Sequence, residues 1–165
     1  MDRLLASEGR EFFNYWMFGG NLENQWNYMR LPHVVPMLGD AGAHVGFFTD
    51  TDSPTVLLSE LTRKQGVYSL PEAIHRITGK SAQIIGLKER GELREGWHAD
   101  INVIDYENLH TCHPEYVNDF PHGGGRFIVK SRGYDATIVA GQVVVQNGVH
   151  TGHRPGEVIR SFVRG

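Results

Sequence analysis

The sequence predicts an α/β region followed by an all-β region, with a boundary near residue 88. Before that point, apolar residues recur at helical spacing behind cap residues, and one short apolar run is typical of a buried strand. After it, apolar and polar residues alternate in short runs separated by glycines, a pattern typical of strands and turns. The 165 residues can bury a core, but a closed eight-stranded α/β barrel needs about 250. The predicted fold class is therefore α/β plus β, in which any barrel is only partial.

The α/β region begins with a predicted helix and a predicted strand. Apolar side chains at helical spacing, behind an asparagine that can serve as a cap, predict a helix over about 22–30. Pro32 breaks this pattern. The apolar run at 34–38 then predicts a buried strand that ends abruptly at Gly39.

Three further helices are predicted before residue 88. A serine–proline pair at Ser53 begins the first, because proline suits the first helical position. Ser69 and Glu72 have the spacing of a capping box, which predicts the start of the second. A short third turn covers 81–85. The predicted helix ends are Gly66, Gly79 and Gly86.

The β region contains three predicted strands and one long loop. Alternation over 100–104 and two β-rich runs near 136–146 predict the strands. Asn147 and Gly148 form a strong turn signal after the last of them. The stretch 106–126 is rich in His, Pro and Gly, so we expect it to be a loop.

Composition and charge exclude several classes of function. A net charge of −3 gives no reason to expect nucleic-acid or anionic-membrane binding. Cys112 is the only cysteine, so no intrachain disulfide can form and a reducing compartment is favoured. No apolar run approaches the ~18 residues of a membrane span, and the first residues lack the apolar centre of a signal peptide. We therefore expect a cytoplasmic protein that binds neither nucleic acid nor membrane.

The most informative segment is Met-Leu-Gly-Asp-Ala-Gly-Ala-His-Val at 37–45. Its predicted strand delivers the carboxylate of Asp40 at the C-terminal tip, which is where α/β barrels collect their catalytic residues. Asp40 is therefore the first candidate for a catalytic residue and a metal ligand. The alternative from local sequence is a turn or capping aspartate, since Asp is common in glycine-rich turns.

Three neighbours of Asp40 are candidates for contact with substrate or for orienting its carboxylate. Gly39 and Gly42 would let backbone amides approach a substrate closely, although simple permission of positive φ is the favoured interpretation. His44 follows Asp40 at the spacing of a helical turn and could orient it or touch substrate. The alternative for His44 is an ordinary loop histidine.

A likeness to a known enzyme family covers nearly the whole chain. Residues 37–45, 91–100 and 136–145 resemble the last barrel strand, a Gly-x-Leu-x-x-Gly-x-x-Ala-Asp segment and the terminal hairpin of the amidohydrolase superfamily. The first of these segments is most similar to the N-acyl-D-amino-acid deacylase (D-aminoacylase) branch. The resemblance implies that residues 1–88 form the last segments of a TIM-type amidohydrolase barrel. It implies that residues 89–165 form the small β-sandwich that flanks such barrels.

The same resemblance implies the chemistry of Asp40. In the family, the aspartate at this place binds the catalytic metal, zinc or another divalent ion, and shuttles protons during hydrolysis of N-acyl-D-amino acids. The other family ligands are a His-x-His pair, a bridging Cys or modified Lys, and two more histidines, and none can be mapped onto this chain. One ligand cannot hold zinc, because chelation needs several. We therefore expect the isolated monomer to be an inactive fragment or subunit.

Partners and alternatives follow from the incomplete barrel. Open sheet edges and an open apolar face favour a homo-oligomer or association with a missing barrel chain. Two alternatives stay open, a non-catalytic scaffold or assembly remnant and a hydantoinase-like or dihydroorotase-like cyclic amidohydrolase. Other motifs do not predict a site, since the histidines at 110–113 and 150–153 lack the spacing of a zinc site. The His-Gly-Gly-Gly at 122–125 has no Gly-x-Ser-x-Gly elbow to accompany it.

Overall fold

In the described structure the α-helices come first along the chain and the strands second. The computed structural model describes residues 2–8, 22–36, 39, 42–46, 50–160 and 162. The α-helices are α1 (Asp2–Ala6), α2 (Leu22–Met29), α3 (Ser53–Val56), α4 (Leu70–Ile77) and α5 (Gly79–Ile85). The strands are β1 (Ile101–Ile104), β2 (His110–Thr111), β3 (Glu115–Val117), β4 (Arg126–Ile128), β5 (Ser131–Arg132), β6 (Tyr134–Val139), β7 (Gln142–Gln146) and β8 (Val149–His150). Within the described ranges, no helix has the length and apolar character needed to cross a membrane.

The first predicted helices form where the sequence places them. Helix α2 confirms the helix predicted over about 22–30. Helix α3 follows a 3₁₀ turn, has its proline in the first turn, and continues through Leu57–Lys64 with π geometry. The widened turn is seen where the Gln65 amide donates to the Glu60 carbonyl, five residues back, at 3.0 Å. The helix ends beside Gly66, as predicted.

Helices α4 and α5 differ from the prediction at the residue between them. The Ser69 hydroxyl accepts a hydrogen bond from the Glu72 amide at 3.4 Å, which confirms the predicted N-terminal cap of α4. The expectation that Gly79 closes this helix is wrong, because Thr78 interrupts it with φ −125° and ψ −93° and Gly79 begins α5. Gly86 ends α5 in the left-handed region with φ 74°, as predicted.

The strands form one four-stranded antiparallel sheet in the order β1-β6-β7-β8 and two separate pairs, β2 with β5 and β3 with β4. Asn147 and Gly148 both have positive φ, 49° and 79°, which confirms the predicted tight turn between β7 and β8. The sandwich arrangement and the partial barrel stay predictions.

Two predictions of local structure need correction. The stretch 106–126 is not a continuous loop, because it contains β2 and β3. These strands are two and three residues long, too short to produce an alternating pattern in the sequence. Of the strand predicted at 34–38, residues 34–36 are described and lie in no strand. A strand requires a neighbour to bond with, and the described part of the chain places none beside them.

The core joins the helical region (the described residues up to Gly86) to the β region that follows it. Leu109, which precedes β2, is fully buried and belongs to the same cluster as the buried helical-region side chains. Gly133 packs so closely against it that an added Cβ would lie 2.6 Å from the Leu109 Cα, and its φ of +95° also favours glycine. The other buried members of the cluster are Leu57, Leu58, Val67, Tyr68 and Ala73. The boundary near residue 88 stays a prediction, and the described core extends across it.

Candidate functional site

The candidate residues lie close together in the sequence, and the described residues 39 and 42–46 are called the glycine-rich loop here. Asp40, the candidate metal ligand and catalytic residue, falls outside the described residues. Gly39 is described and half-buried, whereas Gly42 and His44 are exposed. The three described candidates flank Asp40 in the sequence, and the predicted role of Asp40 stays a prediction.

Two residues of this loop have a left-handed backbone conformation. Gly42 has φ +89°, and an added Cβ would meet no atom within 4 Å, so the conformation rather than close packing favours glycine there. This agrees with the positive-φ interpretation of Gly42. His44 has φ 47°, which is uncommon for a residue with a side chain. Such positions concentrate at functional sites and tight turns.

A backbone hydrogen bond ties the loop to the β region. The Val45 carbonyl accepts from the Phe127 amide at 2.8 Å. Phe127 lies in β4, so the hairpin formed by β3 and β4 (the β3–β4 hairpin) holds the end of the glycine-rich loop. Nothing local in the sequence indicates this bond, since its partners are far apart along the chain.

Aromatic packing shapes the β3–β4 hairpin. The rings of Tyr116 and Phe127 meet edge to face with centroids 5.0 Å apart. The Tyr116 ring also occupies the space that a Cβ on Gly125 would need. A glycine is therefore required at residue 125. Packing against Tyr116 thus explains the last glycine of the His-Gly-Gly-Gly motif at 122–125.

An ion pair closes the same hairpin. The Arg126 guanidinium donates from Nε and Nη2 to the two Asp119 carboxylate oxygens at 2.8 and 2.7 Å. These hydrogen bonds hold the pKa of Asp119 below its ordinary value and raise the pKa of Arg126. The guanidinium also lies over the Phe120 ring at 5.2 Å. Arg126 is thus already engaged by a carboxylate of its own hairpin.

The chain that enters the loop is held by an arginine that the sequence analysis did not single out. Arg76 of α4 is 4% exposed and directs its guanidinium at the turn after α2. It pairs with Glu72 one turn earlier, and its other donors bind four backbone carbonyls, contacts that no charge pattern in the sequence predicts. The carbonyls are those of Met29, Arg30, Leu31 and Val34.

The described residues do not by themselves form a metal site. No group of three or more His, Cys, Asp or Glu side chains among them is placed to hold a metal ion. The Cys112 thiol is free and half-buried, and the histidines at 110, 113, 150 and 153 are exposed. A metal held by Asp40 would therefore need ligands from outside the described part of the chain.

A shallow depression of about 350 Å³ lies elsewhere, beside β1. The Arg94 guanidinium covers the Trp97 ring on this surface at 4.9 Å. None of the candidate residues lines it. Its lining residues are Glu92, Leu93, Arg94, Glu95, Trp97, His98, Ala99 and Ile101.

Comparison with known proteins finds consistent similarities. A sequence model described as the amidohydrolase family matches residues 27–145, a range that includes the glycine-rich loop, β1–β6 and most of β7. The chain is 39% identical over 106 residues, 64% of its length, to an N-acyl-D-aspartate deacylase of Alcaligenes xylosoxydans xylosoxydans. It is 34% identical over 96 residues, 56% of its length, to a dihydroorotase of Endomicrobium trichonymphae.

A solved structure shares the fold of part of the chain. It is a D-aminoacylase variant in complex with copper chloride, with a TM-score of 0.52 and 25% identity over 66% of this chain. A divalent metal therefore occurs in a structural relative. The chain spans 19% of the deacylase, 22% of the dihydroorotase and 21% of the D-aminoacylase. It thus corresponds to about a fifth of each relative.

Proposed function

This chain belongs to the amidohydrolase family, and from that premise we propose that it is one part of a metal-dependent hydrolase that cleaves the C–N amide bond of N-acyl-D-amino acids. The observation that carries the proposal is the family match over 27–145, which includes Asp40 and its neighbours as well as most of the β region. The relative that is 39% identical over 106 residues is named for the deacylation of N-acyl-D-aspartate. That name supports an N-acylated acidic amino acid as the substrate.

We assign the proton transfers of amide hydrolysis to Asp40. Its carboxylate accepts a proton as water attacks the carbonyl carbon and donates that proton to the leaving amine. This second transfer matters because an unprotonated amine leaves poorly. Gly39, Gly42 and His44 would border the substrate or orient Asp40, and the left-handed backbone at Gly42 and His44 supports a specialised loop.

The proposal requires metal ligands besides Asp40. Because the described residues offer no metal-binding cluster, the remaining ligands for zinc or another divalent ion must come from outside them, in this chain or another. Large apolar side chains are exposed, including Leu93 at 80% and Val158 at 78%. We propose that such surface is covered by a second copy of the chain or by a missing barrel chain, and that the isolated monomer is inactive.

The test combines metal content, assembly state and activity in one set of samples. The purified chain, Asp40→Asn and the control Asp135→Asn are compared by elemental analysis and by sedimentation at micromolar concentration. Asp135 is an exposed aspartate of β6 and so a matched loss of one carboxylate. We expect a divalent metal only in assembled material, lost in Asp40→Asn and kept in Asp135→Asn. Metal retained by Asp40→Asn would remove Asp40 from the proposed site.

A second candidate is hydrolysis of a cyclic amide, which the 34% identity to a dihydroorotase favours. Assays with N-acetyl-D-aspartate and with dihydroorotate, on the same metal-loaded sample, separate the two. Hydrolysis of only the acyl amino acid supports the first proposal, and hydrolysis of only the ring supports the second. A stable assembly that binds no metal and hydrolyses neither would favour the non-catalytic scaffold role.

A further inference from the structure

Arg76 is the only charged side chain that is buried among the described residues. It lies on α4 and is 4% exposed, while its acidic partner Glu72, one turn earlier, is 46% exposed. The Glu72 carboxylate accepts from Arg76 Nη2 at 2.9 Å and from Nε at 3.1 Å. Burial of an arginine is costly unless its N–H donors are hydrogen-bonded. The acceptors of its remaining donors therefore indicate the structural role of Arg76.

Those donors bind one short stretch of backbone. Arg76 Nη1 donates to the carbonyls of Met29, Leu31 and Val34, and Nη2 donates to the carbonyl of Arg30. The four donor–acceptor distances are 2.9, 3.1, 2.6 and 3.2 Å respectively. These carbonyls lie at and just beyond the C-terminal end of α2, where a helix leaves its last carbonyls unbound and favours a cation.

Neighbouring side chains hold the same stretch. The Tyr68 hydroxyl donates to the Met29 carbonyl at 2.5 Å, and its ring lies 4.7 Å from the Arg76 guanidinium. Burial raises the pKa of Tyr68, so this hydroxyl keeps its proton as a donor over the whole ordinary pH range. The Lys80 ammonium donates to the Pro32 carbonyl. Residues 29–34 are thus attached to the helical region at several points, with Arg76 at the centre.

We propose that Arg76 is a positioning residue of the candidate site. Val34 is the last residue it holds, and Gly39 and Asp40 follow a few residues later. Because each residue extends a chain by at most about 3.6 Å, holding Val34 limits how far from it Gly39 can lie, five residues later. Arg76 thereby holds the part of the chain that leads towards the glycine-rich loop. The role toward Asp40 rests on the proposed function, whereas the contacts with 29–34 do not.

The test separates this role from general stabilisation of the core. Arg76→Met removes the charge and all donors at similar size, and Arg76→Lys keeps one donor group. Arg63 supplies the matched control, because its guanidinium donates to the carbonyls of Tyr106, Glu107 and Leu109 and holds a different turn. Amide hydrogen exchange and amide chemical shifts are measured by NMR for the chain and for Arg76→Met, Arg76→Lys and Arg63→Met.

We expect Arg76→Met to speed exchange of the Arg30, Leu31 and Val34 amides at least about tenfold, since it removes several charge-assisted hydrogen bonds. These amides are hydrogen-bonded in the structure, so they report local opening. The amide resonances of 39–45 should shift in the same variant. Arg76→Lys should give smaller changes of the same kind. Arg63→Met should leave these signals in place and instead speed exchange of the Leu109 amide.

Two results would overturn the proposal. One is uniform acceleration of exchange along the whole chain in Arg76→Lys, which would mean general stabilisation. The other is unchanged resonances over 39–45 in a folded Arg76 variant, which would mean that the clamp does not reach the site. If Arg76→Met does not fold, Arg76→Lys decides alone. The measurement uses neither metal nor substrate, so its failure is distinct from failure of the proposed hydrolase activity.

Discussion

The helical region and the β region differ in how far they bury their residues. Most of the buried side chains lie between Thr55 and Ala82, whereas none of the residues in β1–β8 is fully buried. Leu109, just before β2, is the buried hydrophobic residue that the β region contributes to the described core. The strands of the sheet are hydrogen-bonded to one another, but their apolar side chains are only partly covered. The helical region is closer to a finished core, whereas the sheet leaves most of its apolar side chains only half-buried.

Arginines show the same difference between the regions. Arg63 and Arg76 reach across elements to bind backbone carbonyls, and so fix the path of distant segments. In the β region Arg126 instead pairs with Asp119 at the surface. Exposed ion pairs of this kind contribute little to stability, because solvent screens the charges and ordering two long side chains costs entropy. The helical region therefore holds chain segments in place, and the β region tightens its own turns.

The largest expected effect comes from removing the residue that the two regions share. Leu109→Ala should lower the free energy of unfolding by about 2–5 kcal/mol, because it leaves a cavity at a fully buried position. Leu93→Ala, at a site 80% exposed, should change it by less than about 0.5 kcal/mol. Urea denaturation of both variants measures the difference. Equal effects would show that the described core does not depend on the β region.

A smaller effect is expected from a polar contact between the regions. The Thr55 hydroxyl is buried and lies 2.9 Å from the Ser131 hydroxyl and 3.0 Å from that of Tyr134. Thr55→Val should cost about 1–3 kcal/mol, since it leaves those hydroxyls without this partner. The buried Thr62 hydroxyl finds no hydrogen-bond partner among the described residues. Thr62→Val should therefore leave stability unchanged or slightly raised, and thermal unfolding of the pair of variants checks this.

The smallest effect, and the one that depends on pH, is expected in the β3–β4 hairpin. Hydrogen bonds from Arg126 hold the folded-state pKa of Asp119 below its ordinary 3.8, so the pair stabilises the fold above that pH. This contribution is lost as pH falls through the lower, folded-state pKa. Asp119→Asn should thus lower Tm slightly at neutral pH and have no effect at low pH. A difference in Tm that persists unchanged in acid would contradict this account.

Features with a local cause could be predicted from the sequence. The cap at Ser69, the left-handed end at Gly86 and the Asn147–Gly148 turn each depend on a few adjacent residues, and the structure confirms them. Gly79 misled the prediction because a glycine after a helix resembles a stop. Here the break is set one residue earlier, at Thr78, and a new helix starts at once.

Features that depend on distant contacts could not be predicted. In the sequence, Arg76 is an ordinary charged residue of an amphipathic helix. Only the tertiary structure shows that it binds the Val34 carbonyl. The pairs β2–β5 and β3–β4 are too short to leave a periodic pattern. For the site, the sequence supplied Asp40 and its neighbours through resemblance to a family. The contacts that hold the loop at Val34 and Val45 came from the structure.

The hydrogen bond between the Val45 carbonyl and the Phe127 amide has a consequence for the order of synthesis. A ribosome makes the glycine-rich loop first and reaches β4 only several seconds later, at about 5–20 residues per second. During that interval the emerging loop has no strand β4 to bind. A nascent chain that is cleaved or stalls before Phe127 would therefore leave Val45 without this anchor.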